Sequence, residues 1–258
     1  MGFLAENWIL FSSILMFGVV YLYGYFNVFN KVWKGRARYD AASCGISMVH
    51  GLVVAVLACY DIFGGNDRQL DAPNTHFQNG IMEYSMAYFI VDLIYYFVTA
   101  SDDYLFIVHH FATLTYMFSC HYFTHHGAFS VMYLIAAGEL TSPVQNIWTL
   151  ARMARGESPT AKKIYTNLSP FFTVYFTVVR GIFGPFLTWK LGAFYLTGQA
   201  DAVVPRWLAY CWMFKVAFGI FGSVVWVYKL WVGLLKFYTK KGTKRSSVTG
   251  TPEQLKTD

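Results

Sequence analysis

The chain has 258 residues, of which 56% are hydrophobic, 20% aromatic and only 13% charged. Soluble domains carry about 25% charged residues, so this balance excludes a soluble globular enzyme and leaves a polytopic membrane protein with no room for a separate soluble domain. The net charge of +6 does not imply a nucleic-acid partner, because the basic residues fall in short loops and in the tail, as membrane topology requires.

Seven apolar segments follow one another: Trp8–Phe29, Ala41–Phe63, Ile81–Thr99, Tyr104–Phe123, Ala128–Leu150, Ile164–Leu191 and Trp207–Tyr228. Each is near or above the ~20 residues that cross the hydrocarbon as a helix. The predicted fold is therefore all-α, a bundle of seven transmembrane helices. The first segment has no basic residues before it and a long apolar run, so it reads as an uncleaved span rather than a removable signal. The sixth is over-long, and Pro170 and Pro185 mark its irregular ends or a kink. The four cysteines, Cys44, Cys59, Cys120 and Cys211, sit in apolar runs with no metal-ligand spacing and read as small core residues.

The basic residues orient the bundle. Lys31, Lys34, Arg36 and Arg38 follow the first span. Arg152, Arg155, Lys162 and Lys163 follow the fifth, and Lys236, Lys240, Lys241, Lys244, Arg245 and Lys256 follow the seventh. The opposite loops hold only Arg68, Lys190 and Arg206. This bias puts the N-terminus in the lumen or outside and the C-terminus in the cytosol.

An ionisable side chain at the bilayer centre costs ~2.5–3.5 kcal/mol on insertion scales. His50, Asp92, His109, His110, Glu139 and Arg180 therefore stand out. Spans three and four turn near Ser101; Asp92 lies nine residues before it and His110 nine after. At ~1.5 Å rise per residue both sit ~12–14 Å from the turn, level with each other. The same counting puts His50 at ~15 Å, Glu139 at ~16 Å and Arg180 at ~24 Å from the cytosolic face. Glu139, Ser142, Asn146 and Thr149 share one helical face, and His109, Thr113, Tyr116 and Cys120 another. Polar stripes of this kind face protein or a water-filled cavity rather than lipid, although singly such residues also bond neighbouring helices together. The set predicts a cavity with His109, His110, Asp92 and Glu139 as candidate catalytic groups. His50, Thr113, Tyr116, Ser142, Asn146 and Arg180 are candidate substrate-binding groups. A neutral imidazole can act as general base, nucleophile or metal ligand, and a carboxylate beside it can fix its tautomer. Adjacent histidines on a helix diverge by about 100° and do not readily hold one ion, so no metal is expected. His76, His121, His125 and His126 fall at the luminal ends of spans and read as solvated. The sequon at Asn167–Ser169 lies on the cytosolic side, which argues against glycosylation.

Three stretches, "MAYFIVDLIYYF" (Met86–Phe97), "VHHFATLTYMFSCHYF" (Val108–Phe123) and "GELTSPVQNIWTL" (Gly138–Leu150), resemble the TLC domain family, which includes the ceramide synthases. "KVWKGRARYDAASCGISMVHGL" (Lys31–Leu52) resembles the start of that domain. The resemblance implies an N-terminal helix over 1–30, a six-helix TLC-type bundle around a polar cavity over 31–236, and a disordered cytosolic tail over 237–258. It implies lipid metabolism or membrane lipid homeostasis in the endoplasmic reticulum or Golgi membrane, with a membrane lipid or fatty acyl chain as partner and a homo-dimer compatible. It further implies ceramide-synthase-like transfer of an acyl group at His109 and His110, with acyl-CoA as substrate and no tightly bound cofactor. Where ceramide synthases carry an HD-x-S-D pattern, this chain reads "AAGELTSP" (Ala136–Pro143), which keeps a second reading open: a non-catalytic lipid-binding or trafficking protein. The fatty acid elongases use H-x-x-H-H, but Phe106 stands where the first histidine belongs. A transporter would suit charges within spans, yet no inverted repeat is visible.

Overall fold

The structure, a computed structural model, describes residues 6–64, 69–100 and 102–249, with side chains described to residue 239. Among these the chain is helical apart from turns and one isolated antiparallel bridge between Pro73 and His126. In chain order the helices are α1 (Trp8–Tyr23), α2 (Arg36–Gly64), α3 (His76–Thr99), α4 (Tyr104–Phe118), α5 (Ala128–Glu139), α6 (Ser142–Ala154), α7 (Pro159–Phe176), α8 (Gly184–Tyr195) and α9 (Arg206–Thr249). Short wider-wound turns, Gly24–Val28, Ser119–Thr124 and Thr177–Phe183, extend α1 and α4 and join α7 to α8.

Among the described residues, five helical stretches are long and apolar enough to cross a membrane: Trp8–Lys31, Arg36–Gly64, His76–Thr99, Pro159–Tyr195 and Arg206–Thr239. The other two expected spans are built differently. α4 is only 15 residues long before its wider turn begins. The expected continuous fifth span is split at Leu140–Thr141 into α5 and α6. The cause is Pro143 in the first turn of α6. It has no N–H to offer the Glu139 carbonyl four residues back, so the ladder stops there. α9 runs to Thr249, across the Lys236 boundary drawn from the sequence, and residues 250–258 of the expected tail lie outside the described residues.

The bundle is apolar outside, and its interior combines an apolar core with buried polar groups. Leu15, Val56, Phe63, Val98, Trp189 and Phe214 project outward with more than half their surface exposed, as lipid-facing side chains do. Inside, Trp212, Tyr195, Phe172 and Met132 are fully buried. α1 packs chiefly on α3, its Phe17 ring lying 5.0 Å from Tyr84 and 5.7 Å from Tyr88. α3 opens on a reciprocal cap. The Thr75 hydroxyl accepts from the Gln78 N–H at 3.2 Å, and the Gln78 side chain accepts from the Thr75 N–H at 3.0 Å. Gln78 also donates to Asp61 of α2 at 2.8 Å.

The histidines expected at the luminal ends are not all solvated. His121 is 9% exposed and lies 3.2 Å from the buried Glu83 carboxylate. His126 bonds the Asp71 carbonyl at 2.8 Å. Glu83 also accepts from the Leu10 N–H at 3.1 Å, so this carboxylate, absent from the sequence expectations, anchors the start of α1. Of the cysteines only Cys120 is fully buried; Cys211 is exposed on the outer surface, contrary to a core role.

Candidate functional site

α2, α3 and α4 bring the first cluster together. The His110 Nε2 lies 2.8 Å from Asp92 Oδ2, a pairing that their equal depth, counted from the Ser101 turn, makes possible. Asp92 is 1% exposed and His110 5%. The Ser43 hydroxyl donates to Asp92 Oδ1 at 2.7 Å and the Tyr88 hydroxyl to Oδ2 at 3.3 Å. The other His110 nitrogen, Nδ1, lies 2.9 Å from the Phe106 carbonyl. The ring is thus bracketed by two acceptors. A neutral imidazole has one N–H, so either the ring carries both protons and faces a carboxylate, or the carboxyl carries one and donates it to Nε2. In both cases the pair is closed on itself. The second nitrogen points at backbone, not at a cavity, so His110 does not present the free nitrogen that a base relay of the serine-protease kind requires.

His109 behaves differently. Its ring is 5.8 Å from that of His110 and nearly perpendicular to it, at 80°. Among the described residues neither of its nitrogens has a hydrogen-bond partner in the protein, and it stands on the walls of two cavities. The larger, about 370 Å³, reaches from Asp92, His110 and Glu139 to Arg36, Asp103 and Arg152 at the basic face. The inner one, about 130 Å³, runs deeper past Thr113, Tyr116, Met117, Leu187 and Lys215. Glu139, Arg180, Phe89, Gly219 and Ser223 also line both.

His50 and Glu139 form the second cluster. His50 is 1% exposed, stacks on Tyr88 at 4.1 Å and contacts the Ser85 hydroxyl at 3.1 Å through Nε2. Its Nδ1 is buried without a hydrogen-bond partner, 3.7 Å from Glu139 Oε2. Glu139 can approach because α2 carries Gly51 here. A Cβ at that position would stand 2.8 Å from the Ser142 Cβ and 3.1 Å from Glu139 Oε2. The break after Glu139 frees carbonyls that lipid cannot satisfy. The Arg180 guanidinium donates to the Gly138 carbonyl and to the Thr141 hydroxyl, and the Tyr175 hydroxyl donates to the Leu140 carbonyl at 2.8 Å. Arg180 is thus partly committed to holding the break, and it also lines both cavities.

All ten residues singled out from the sequence line one cavity or the other. Asp92, His110, Ser142 and Asn146 line the larger, His50, Thr113 and Tyr116 the inner, and His109, Glu139 and Arg180 both. Asn146 also donates to the Ser47 hydroxyl at 2.9 Å. Cys120, the fourth member of the α4 stripe, is packed in the core against the His126 carbonyl instead. Sequence reasoning passed over Ser43, Ser85 and Tyr88. Helical periodicity carried their signal, since Ser43 is two turns before His50 on α2 and Ser85, Tyr88 and Asp92 share one face of α3. Among the described residues no three His, Cys, Asp or Glu side chains stand together as metal ligands do.

At the mouth, Arg36 of α2 meets Asp102 of the α3–α4 turn at 2.9 Å. That hydrogen bond holds the Asp102 carboxyl below the usual carboxylate range. A lowered carboxyl keeps its pairing above its unfolded value of about 3.9 and loses it only as pH falls through the folded one, so the clasp is closed at neutral pH.

Comparison with known proteins places the sequence in a family. The TLC domain family model matches residues 40–232. A TLC domain-containing protein of Arabidopsis thaliana is 40% identical over 231 residues, which cover 89% of this chain and 90% of that protein. No solved structure matches.

Proposed function

The chain belongs to the TLC domain family, and on that premise we propose that it is an acyltransferase of membrane lipid metabolism that moves a fatty acyl group from acyl-CoA to a lipid acceptor. α4 with its wider turn and the α5–α6 pair complete seven crossings in this reading. The basic-residue bias puts the N-terminus in the lumen and the C-terminus in the cytosol of an endoplasmic reticulum or Golgi membrane. The larger cavity then opens to the side where acyl-CoA resides.

One observation carries the reading: His109, unbonded to protein, stands where the two cavities meet. In the proposed step His109 takes a proton from the acceptor amine or hydroxyl as that group attacks the thioester carbonyl. The C–S bond breaks, and the CoA sulfur leaves with the proton returned from His109. The free N–H groups of Arg180 face the developing oxyanion. The His110–Asp92 pair is a positioning element that fixes α4 against α3. The inner cavity, walled by Tyr116, Met117 and Leu187, receives part of the acyl chain.

The test uses the purified full chain in lipid nanodiscs. Mass spectrometry identifies the co-purifying lipid, and a thiol reagent follows CoA release on addition of long-chain acyl-CoA. The expected result is CoA release with stoichiometric acylation of a lipid. Bound lipid with no release, across acyl lengths, would overturn the enzyme reading in favour of a non-catalytic lipid-binding protein.

A further inference from the structure

A separate cavity of about 360 Å³ lies between α6, α7 and α9 on the basic face. Its chemistry divides in two. Arg152, Arg155 and Lys229 stand on its walls. Trp226, Leu230 and Leu234 give it an apolar side along α9. Arg152 stands in the last turn of α6 and Arg155, three residues on, is its C-cap with helical backbone angles, so the two share one face. Each guanidinium is held against an aromatic wall, Arg152 at 5.0 Å from the Trp148 ring and Arg155 at 4.9 Å from that of Tyr165. Such stacking orients a cation without using its N–H groups. Among the described residues no carboxylate lies within 4.0 Å of any of the three cations.

Topology alone accounts for basic residues on this face. It does not account for two arginines braced on rings around a cavity with one greasy wall, nor for three cations with no carboxylate within 4.0 Å among the described residues. Basic pockets between transmembrane helices on the cytosolic side suit lipid headgroups. We propose that this cavity binds an anionic phospholipid of the cytosolic leaflet with a phosphomonoester head. Arg152, Arg155 and Lys229 hold the phosphate, and an acyl chain lies along Trp226, Leu230 and Leu234. A phosphomonoester presents up to two charges and three acceptor oxygens, which match three cations better than a phosphodiester does. Free phosphate would leave the apolar wall uncovered. The proposal rests on the cytosolic orientation given above but not on acyl transfer. Arg152 also lines the larger histidine-bearing cavity, so the lipid would sit against its mouth.

The experiment is a titration of the purified full chain in detergent with dioctanoyl phosphatidic acid, bound copies being counted by native mass spectrometry. Dioctanoyl phosphatidylcholine is the comparison and inorganic phosphate the competitor. Phosphatidic acid should bind at least tenfold more tightly than phosphatidylcholine. The triple variant Arg152→Gln, Arg155→Gln, Lys229→Gln should lose ~100-fold, given the usual worth of a basic side chain at a lipid surface. His109→Gln should bind phosphatidic acid as the wild type does, which separates this site from the acyl-transfer reading. Equal binding of the two lipids, or an unchanged triple variant, would overturn the proposal. Displacement by inorganic phosphate at matched concentration would also overturn it, leaving a simple anion site. If the triple variant does not fold, the wild-type preference and its loss at 1 M salt, where the Debye length is about 3 Å, decide the matter.

Discussion

Asp92→Ala is expected to destabilise the protein by about 3–5 kcal/mol, the usual consequence of removing one partner of a buried pair. Three losses coincide. The His110 Nε2 loses its hydrogen-bond partner, 2.8 Å away. The Ser43 and Tyr88 hydroxyls lose their acceptor at a site that is 1% exposed, and a buried donor left unmade costs about 1–3 kcal/mol. The measurement is thermal or denaturant unfolding in one detergent. The double variant Asp92→Leu, His110→Leu should recover part of the loss, because removing both partners removes the uncompensated group. An Asp92→Ala protein within about 1 kcal/mol of wild type would contradict the closed-pair account. So would a double variant that is worse than the sum of the single ones.

His109→Gln is expected to lower the rate of CoA release by about 10²–10⁴-fold, the range for removing a general base, while the melting temperature stays at the wild-type value. The reason is the contrast between the neighbours. His110 is held by two hydrogen bonds, whereas His109 makes none to protein and faces the cavities. His110→Gln should therefore behave like Asp92→Ala, losing stability first and activity as a consequence. Equal rates for His109→Gln and wild type would assign the chemistry elsewhere. Equal destabilisation by both histidine changes would mean that His109 is packed as structure.

The depth of the site was legible in the sequence because helices keep a fixed rise. Asp92 and His110, counted from one turn, do meet, and His50 and Glu139, counted from two other loops, reach the same layer. What counting could not supply was helix continuity. The fifth span read as one helix because its composition stays apolar, yet Pro143 breaks it, and the partners of the freed carbonyls, Tyr175 and Arg180, come from α7 and the turn beyond it. Those contacts are set by packing between distant segments and leave no local pattern. Glu83 and His121 were missed or read as solvated for the same reason, since burial at a span end depends on what covers it, here α1. The difference in role between His109 and His110 was equally invisible, because it lies in the Phe106 carbonyl and the Ser43 hydroxyl rather than in the histidines themselves.

The central claim is that these buried groups surround a water-accessible cavity opening on the basic, cytosolic face. Thr149 lies on its wall and outside the charged clusters. In a chain whose four cysteines are replaced, Thr149→Cys should react with a membrane-impermeant thiosulfonate applied from the C-terminal side of sealed vesicles, and acyl-CoA should slow that reaction. Labelling only from the opposite side, or none from either, would contradict the account.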